Sequence, residues 1–429
     1  MKKKYRIILY TSIFLLCVVA SIILVVKKSN SVYEEESKPK VVKHKSMLSM
    51  NLEQTAGAGD YKTVTQSSWP TEGYKFNAEL SRCENGSTLS WDDTKKAVIV
   101  SGNLSDKCYV YFDIYQPTLA EYIKSQYTGT QGENNIYYHD SDLANGAGDN
   151  SYRYAGANPN NFVCFGSDTS PCPTDNLYRI IGVFGEGYHG VTGKQLVKLI
   201  KYDYMTTDEL GTDGDYSQTY KEWGMDSTYK GTYGDGERIG VYYWNYKATG
   251  SATNTWSTSL LNKTNLNTNF INNIGTTWAN KIATVTWKVG GNTYANISDV
   301  VPATTYQNEI VNPVTTNTTD NATTYSAKIG LMYVSDYGFA ASPDAWTLTM
   351  SSYNNTTATN NNWMYMGLYE WTISRDADSS SVAFGVFSDG GVYFSGVNGS
   401  IGVRASFSLE SSVSYVSGSG SMSDPIVIN

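Results

Sequence analysis

An uncharged, largely apolar run extends from Ile7 to Val26, with Lys2, Lys3, Lys4 and Arg6 in front of it and Lys27 and Lys28 behind. A helix of that length spans about 30 Å, the thickness of a bilayer's hydrocarbon core. A cleaved export signal has a shorter apolar stretch and a small-x-small exit. Here the exit reads Ile-Leu-Val-Val-Lys-Lys, and Leu16 before Cys17 does not fit a lipoprotein signal. The pattern predicts a retained single-pass anchor over 7–26 behind a cytoplasmic tail of 1–6, with an ordinary export signal as the alternative. Either places the bulk of the chain outside the cytoplasm.

Beyond the anchor the pattern changes character three times. Residues 27–60 are charged and then Gly/Ala-rich without apolar periodicity, and read as a spacer. Residues 61–113 read as a small β unit: Tyr74–Asp113 alternates apolar and polar residues in short runs broken by ENGS and SWDDTKK. Residues 114–429 mix both periods. Thr118–Tyr127 has helical spacing, and Asn161–Phe165, Leu177–Phe184 and Gln195–Tyr202 carry strand signals. Leu260–Ile274 reads as an Asn-rich helix, Trp278–Val289 as a strand, and Lys328–Val334 as a further apolar run. Short runs follow at Trp363–Ile373, Ser381–Phe387, Val392–Phe394 and Val403–Leu409. Helices early and irregular short strands later predict one α+β domain with long loops, not βαβ repeats.

Charge narrows the partners. Residues 1–45 hold ten of the 32 basic and three of the 40 acidic residues, so the remainder carries 22 against 37, a net of −15. Nucleic-acid binding is driven by neutralising phosphates, so this acidic ectodomain excludes that class. With 40% hydrophobic and 13% aromatic residues it has enough apolar surface to bury a core. Outside Cys17 the cysteines are Cys83, Cys108, Cys164 and Cys172. An even number in exported sequence points to disulfides, and the pairs Cys83–Cys108 and Cys164–Cys172 each close a short local loop. Zinc is the competing reading, but neither pair has CxxC spacing and no His lies beside them.

The succession NLYRIIGVF, QLVKLIKYD, KIGLMYVSDYGFA, GLYEWTISRD and GVRASFSL resembles the C-type-lectin-like fold of proteins related to the formylglycine-generating enzyme. It is more similar to the variable-protein branch, which includes phage tropism determinants and surface proteins diversified by retroelements. The resemblance covers roughly 118–429. It implies a C-type-lectin-like domain following the anchor helix and the disulfide-stapled β unit, with a Gly-x-Arg segment that returns a strand to the core; Gly402, Val403 and Arg404 stand there. The catalytic branch uses a cysteine pair near its C-terminal end. This chain has no cysteine after Cys172, so an oxidase activity of that kind is the less favoured alternative, beside a purely structural envelope protein.

The candidate recognition segment is 374–404. SDGG at 388–391 is a hairpin signal, because Asp-Gly tolerates the positive φ angles of a type I′ turn. Small Ser and Gly around isolated Tyr, Phe and Asn match the composition of binding loops. The candidate ligand-binding residues are Asp376, Ser379, Ser381, Gly385, Phe387, Gly391, Tyr393, Phe394, Ser395, Asn398 and Ile401. Adjacent strand residues face opposite ways, so one of Tyr393 and Phe394 is expected to face the core. None of the 31 residues is Met, Trp, Gln, Lys or Glu, although these types make up 69 of 429 and about five would fall here by chance. Those five types are unreachable from an Asn codon when only its first two bases change. Adenine-directed diversification, as the resemblance implies, works that way.

The remaining constellations are weaker. His44 falls in the spacer, His139 and His189 are expected in exposed loops, and HExxH, GxSxG and P-loop motifs are absent from the sequence. No cofactor is expected. Ca²⁺ is the one candidate metal, through Asp140, Asp142, Asn145 and Asp149 or through Asp208, Asp213 and Asp215, though neither set has EF-hand spacing. Trp346, Trp363 and Trp371 could stack on sugars but are expected in the core. The reading is a cell-membrane receptor or adhesin, not an enzyme, with an unidentified extracellular protein or glycan as partner.

Overall fold

The computed structural model describes residues 48–65, 68–70, 73–103, 105–220, 228–233, 238–247, 252–313 and 322–429. The expected anchor over 7–26 lies outside the described residues, and among the described residues no helix is long and apolar enough to cross a membrane. The chain is mixed α and β and divides into two compact units between Gln116 and Pro117.

The small unit begins earlier than its sequence suggests. Its strands are β1 (Leu48–Glu53), β2 (Tyr61–Val64), β3 (Tyr74–Phe76), β4 (Arg82–Cys83), β5 (Thr88–Asp92), β6 (Ala97–Ser101) and β7 (Cys108–Ile114). The spacer expected over 27–60 therefore does not extend to residue 60. β1 pairs in parallel with β7, its Met50 opposite Val110, and in antiparallel with β2. Met50, Leu52, Val110 and Phe112 form the core, with the rings of Trp69, Phe76 and Trp91 around Phe112. Cys83 and Cys108 are cross-strand neighbours and are joined, with a Cα–Cα distance of 4.0 Å. In so small a core a covalent staple supplies what burial cannot.

The large unit is built on two sheets. The first contains β8 (Ile136–His139), β9 (Ser151–Tyr154), β10 (Phe162–Cys164), β11 (Leu177–Phe184) and β12 (Leu196–Lys201). β11 is LYRIIGVF, with all eight residues buried, as a continuous apolar run requires. It carries a bulge between Ile180 and Gly182, where β9 passes so close that a Cβ on Gly182 would lie 2.2 Å from the Tyr152 carbonyl oxygen. Cys164 and Cys172 are bonded at the end of β10. The second sheet begins with β13 (Tyr216–Thr219) and β14 (Gly240–Tyr243). β15 (Val285–Lys288) pairs with β16 (Thr324–Ala327) as a separate hairpin. β17 (Ile329–Gly330) then joins the first sheet.

The strands β18 (Glu370–Arg375), β19 (Val382–Val386), β20 (Val392–Gly396) and β21 (Ser400–Gly402) complete the second sheet, in the order β13-β14-β21-β18-β19-β20. β22 (Ser406–Ser408) enters the first sheet between β17 and β12. The chain thus crosses between sheets over Val403–Ala405. A last pair, β23 (Tyr415–Ser417) and β24 (Val427–Ile428), closes the chain.

The helix Leu119–Ser125 starts at Thr118, which accepts from the Glu121 amide while Glu121 accepts from the Thr118 amide. The Asn-rich segment is helical over Leu261–Phe270 and again over Ile271–Ala279. Trp278 ends that helix instead of opening a strand, because its ring packs edge-on against Phe165 in the core. The apolar run Lys328–Val334 gives a two-residue strand and then the helix Val334–Ala340, all seven residues of which are buried.

Arg404 lies at the crossing and is buried. Its Nε donates to Glu370 Oε1 at 2.8 Å, and Nη2 donates to the Met364 carbonyl at 2.6 Å. Burial pushes the Glu370 carboxyl above its usual range, and Arg404 opposes that shift. Arg404→Ala strands a buried carboxylate and should cost on the order of 3–5 kcal/mol in chemical denaturation. Adding Glu370→Gln should recover part of that loss; equal stability of the single and double variants would show that packing, not charge, carries the contact.

Candidate functional site

β19 and β20 form the hairpin expected in the recognition segment, paired from Val382 with Gly396 to Val386 with Val392. The turn is not type I′. Positive φ falls on Gly390 alone, at +91°, and the Gly390 amide donates to the Phe387 carbonyl while the Phe387 amide donates to Gly391. This is the longer hairpin loop in which one left-handed residue follows an ordinary turn. Asp389 contributes through its side chain, whose Oδ1 accepts from the Gly391 amide.

Register decides which residues share a face. Trp371, Gly385 and Tyr393 are cross-strand partners, so Phe387 and Ser395 project on their side. Ile401 lies there too, within 3.1 Å of where a Cβ on Gly385 would stand. Here Tyr369, Phe387 and Tyr393 make a ladder of edge-to-face rings with centroid spacings of 4.9 and 5.0 Å. All three are half-buried. Tyr393 is steered by Asn354, whose Nδ2 donates to its hydroxyl at 3.1 Å, and its own hydroxyl reaches the Ser351 carbonyl. Tyr365 hydrogen-bonds the Ser388 carbonyl, and Lys230 sits 4.4 Å over the Tyr365 ring.

On the opposite face Phe384 and Val392 are fully buried. Phe394 shares that face, yet it is 42% exposed, because it emerges beyond the core's edge and meets Tyr294, itself 54% exposed, at 4.1 Å. The expectation that one of Tyr393 and Phe394 faces the core therefore holds for direction but not for burial. Tyr369, Tyr294 and Asn354 were not among the expected site residues, since nothing in their local sequence marks them. Tyr294 and Asn354 come from short helical turns packed against β20, and Tyr369 from the residue before β18, so only tertiary packing brings them to the hairpin.

The loop after β18 is held from beneath. Asn254, fully buried, donates from Nδ2 to the carbonyls of Asp376, Ser379 and Val382. Asp376 is buried as well: Oδ1 accepts from the amides of Asp378 and Ser379, and Oδ2 from the Tyr294 amide. Of the eleven candidates, Ser381, Phe394 and Asn398 are exposed, and Ser379, Phe387, Tyr393 and Ser395 are half-buried. Asp376, Gly385, Gly391 and Ile401 are buried. They support the face without offering surface to a ligand.

The histidines depart from expectation. His139 and His189 are both buried, and burial pulls both below the ordinary imidazole value. Each accepts a loop amide at Nδ1, from Ala147 and Val191 respectively, and so acts as a neutral cap. Trp346, Trp363 and Trp371 are core residues. Asp149 is engaged by Arg153 at 2.8 Å, and Asp215 accepts from the amides of Leu261 and Tyr246. Among the described residues no group of three or more His, Cys, Asp or Glu is placed to hold a metal ion. The four described cysteines are all in disulfides.

Ionisable groups also lie deep in the core. Glu309 accepts from the Ser335 amide at 2.7 Å and from the Ser374 hydroxyl at 2.6 Å. Burial raises its carboxyl to about 7. The folded state therefore binds more protons than the unfolded one between about 4.5 and 7, and stability falls as pH rises through that window. Comparison with Glu309→Gln should expose the slope: wild type should lose roughly 2–3 kcal/mol relative to the variant between pH 5 and pH 8. A pH-independent difference in denaturation would place Glu309 in its charged form throughout. No family model matches this chain, and neither does any curated protein or solved structure with which it was compared.

Proposed function

We propose that this chain is a membrane-anchored, extracytoplasmic binding protein. Its ligand meets the ladder Tyr369–Phe387–Tyr393 and the exposed ring pair Tyr294–Phe394. The reading takes Ile7–Val26 as the anchor and the large unit as a C-type-lectin-like domain whose hairpin carries the contact surface. The observation that carries it is that large rings stand incompletely covered on both faces of the hairpin, the half-buried ladder on one and the exposed pair on the other. A monomer seldom leaves adjoining large aromatics uncovered unless a partner buries them. Rigid rings among Ser, Gly and Asn supply contact area at little entropic cost.

The partner class is an extracellular protein or glycan. The acidic ectodomain disfavours nucleic acid. The side chains around the ladder are phenols, amides and hydroxyls, with the Asp389 carboxylate 3.4 Å from the Tyr393 hydroxyl and the Lys230 ammonium over Tyr365, a set we read as contact groups for a ligand. The amino-acid set of 374–404 supports the further step, that this segment is diversified through Asn codons. Diversification at surface positions such as Phe387, Tyr393, Phe394, Ser395 and Asn398 would alter recognition and leave Val392 and Arg404 in the core.

Two measurements test the reading. Sequencing the coding locus should reveal a neighbouring reverse transcriptase and an imperfect repeat of codons 374–404, differing opposite template adenines; a single copy without a repeat would remove the diversification step. With a captured ligand, Phe387→Ala and Tyr393→Ala should each cost on the order of 2 kcal/mol of affinity. Phe394→Ala should leave stability within about 0.5 kcal/mol. Should the three variants lower the melting point and none change affinity, the rings are packing and the binding reading fails.

A further inference from the structure

The core of the large unit holds a lysine and an aspartate in a setting unlike an ordinary ion pair. Lys198, on β12, and Asp336, in the first turn of the helix Val334–Ala340, are both buried, with Nζ 2.7 Å from Oδ2. Tyr188 bridges them. Its hydroxyl lies 2.6 Å from Lys198 Nζ and donates toward both Asp336 oxygens at 2.7 and 2.8 Å. The rings of Tyr188, Trp287 and Tyr333 lie within 4.9 Å of the ammonium. Arg153 points its Nη1 at Asp336 Oδ1 from 3.7 Å, and that nitrogen has no hydrogen-bond partner. The space lined by Lys198, Tyr188 and Trp287 is too tight to hold a water molecule.

We propose that Lys198 and Asp336 condense into an intramolecular amide that joins β12 to the helix Val334–Ala340. The ammonium passes one proton to the carboxylate, giving a neutral amine beside a carboxylic acid. A dry, aromatic surrounding favours that exchange, because charge separation is costly there. The amine nitrogen attacks Cγ, forming the C–N bond, and the oxyanion that develops on Oδ1 faces the Arg153 nitrogen. Tyr188 relays a second proton from Nζ to Oδ2. The Cγ–Oδ2 bond breaks and Oδ2 leaves as water with both protons, so ammonium and carboxylate yield one amide and one water. Holding the reactants at contact distance replaces an encounter in solution, which is how a slow condensation becomes feasible. Burial already pulls Lys198 below the usual lysine value, with Asp336 opposing, so the amine form is within reach.

The test is mass spectrometry of the full-length chain, extracted in detergent and fully reduced so that the disulfides do not contribute. The expected mass is one water below that of the sequence. Digestion should yield a branched peptide linked through residues 198 and 336, with Lys198 resistant to trypsin and to amine reagents in denaturant. Lys198→Arg should abolish the branched peptide, and Tyr188→Phe should lower the linked fraction at a given time after synthesis. Wild type decides the matter without relying on any variant to fold: if the folded chain has the full sequence mass and gives the two peptides separately, the pair is an ion pair only and the proposal falls.

Discussion

A charge that cannot be left alone organises the large unit. Arg404 stands where the chain leaves the six-stranded sheet for the seven-stranded one, and its partner Glu370 sits on β18 beside β21. Neither ion could be buried singly, since removing one partner strands the other in a low-dielectric core. The pair therefore fixes the relative placement of the two sheets. With them it fixes how far β19 and β20 project. A ring ladder spaced at about 5 Å tolerates little slack, so its geometry inherits whatever precision this contact has.

The same logic recurs around Arg153, Lys198 and Asp336, whereas the buried guanidinium of Arg179 lies between the rings of Phe162 and Trp363 and is satisfied by neutral acceptors, Asn161 Oδ1 and the Pro159 carbonyl. These polar groups are not a substitute for hydrophobic burial, which supplies most of the stabilisation. They restrict the ways in which so aromatic a core can pack. Large rings alone admit several arrangements of similar energy, whereas a buried ion accepts only the one that satisfies it.

Much of the framework could be read from residues in order. The run LYRIIGVF is a buried strand with the expected ends, Thr118 caps its helix, and both disulfides join cysteines that the chain keeps close. What failed to show were features set by distant partners. Leu48–Glu53 does alternate, with Leu48, Met50 and Leu52 against Ser49, Asn51 and Glu53, but the run is short and borders a charged, Gly/Ala-rich stretch, and what makes it a strand is the parallel edge that β7 offers from far along the chain. His139 lies in polar sequence but is sealed by Phe339 and Trp346. The hairpin was legible while half of its surface was not, since Tyr294 and Tyr369 reach it through tertiary order alone.

The Asn254 clamp has a consequence for how this surface can change over time. Its amide grips three main-chain carbonyls, at residues 376, 379 and 382. A support that recognises only backbone is blind to side-chain identity. The side chain at the exposed position 380 can therefore be exchanged while these contacts stay in place, and the cost of novelty at that point of the surface is uncoupled from the cost of folding. A lineage carrying such a clamp can explore new contacts without first having to rescue its own stability.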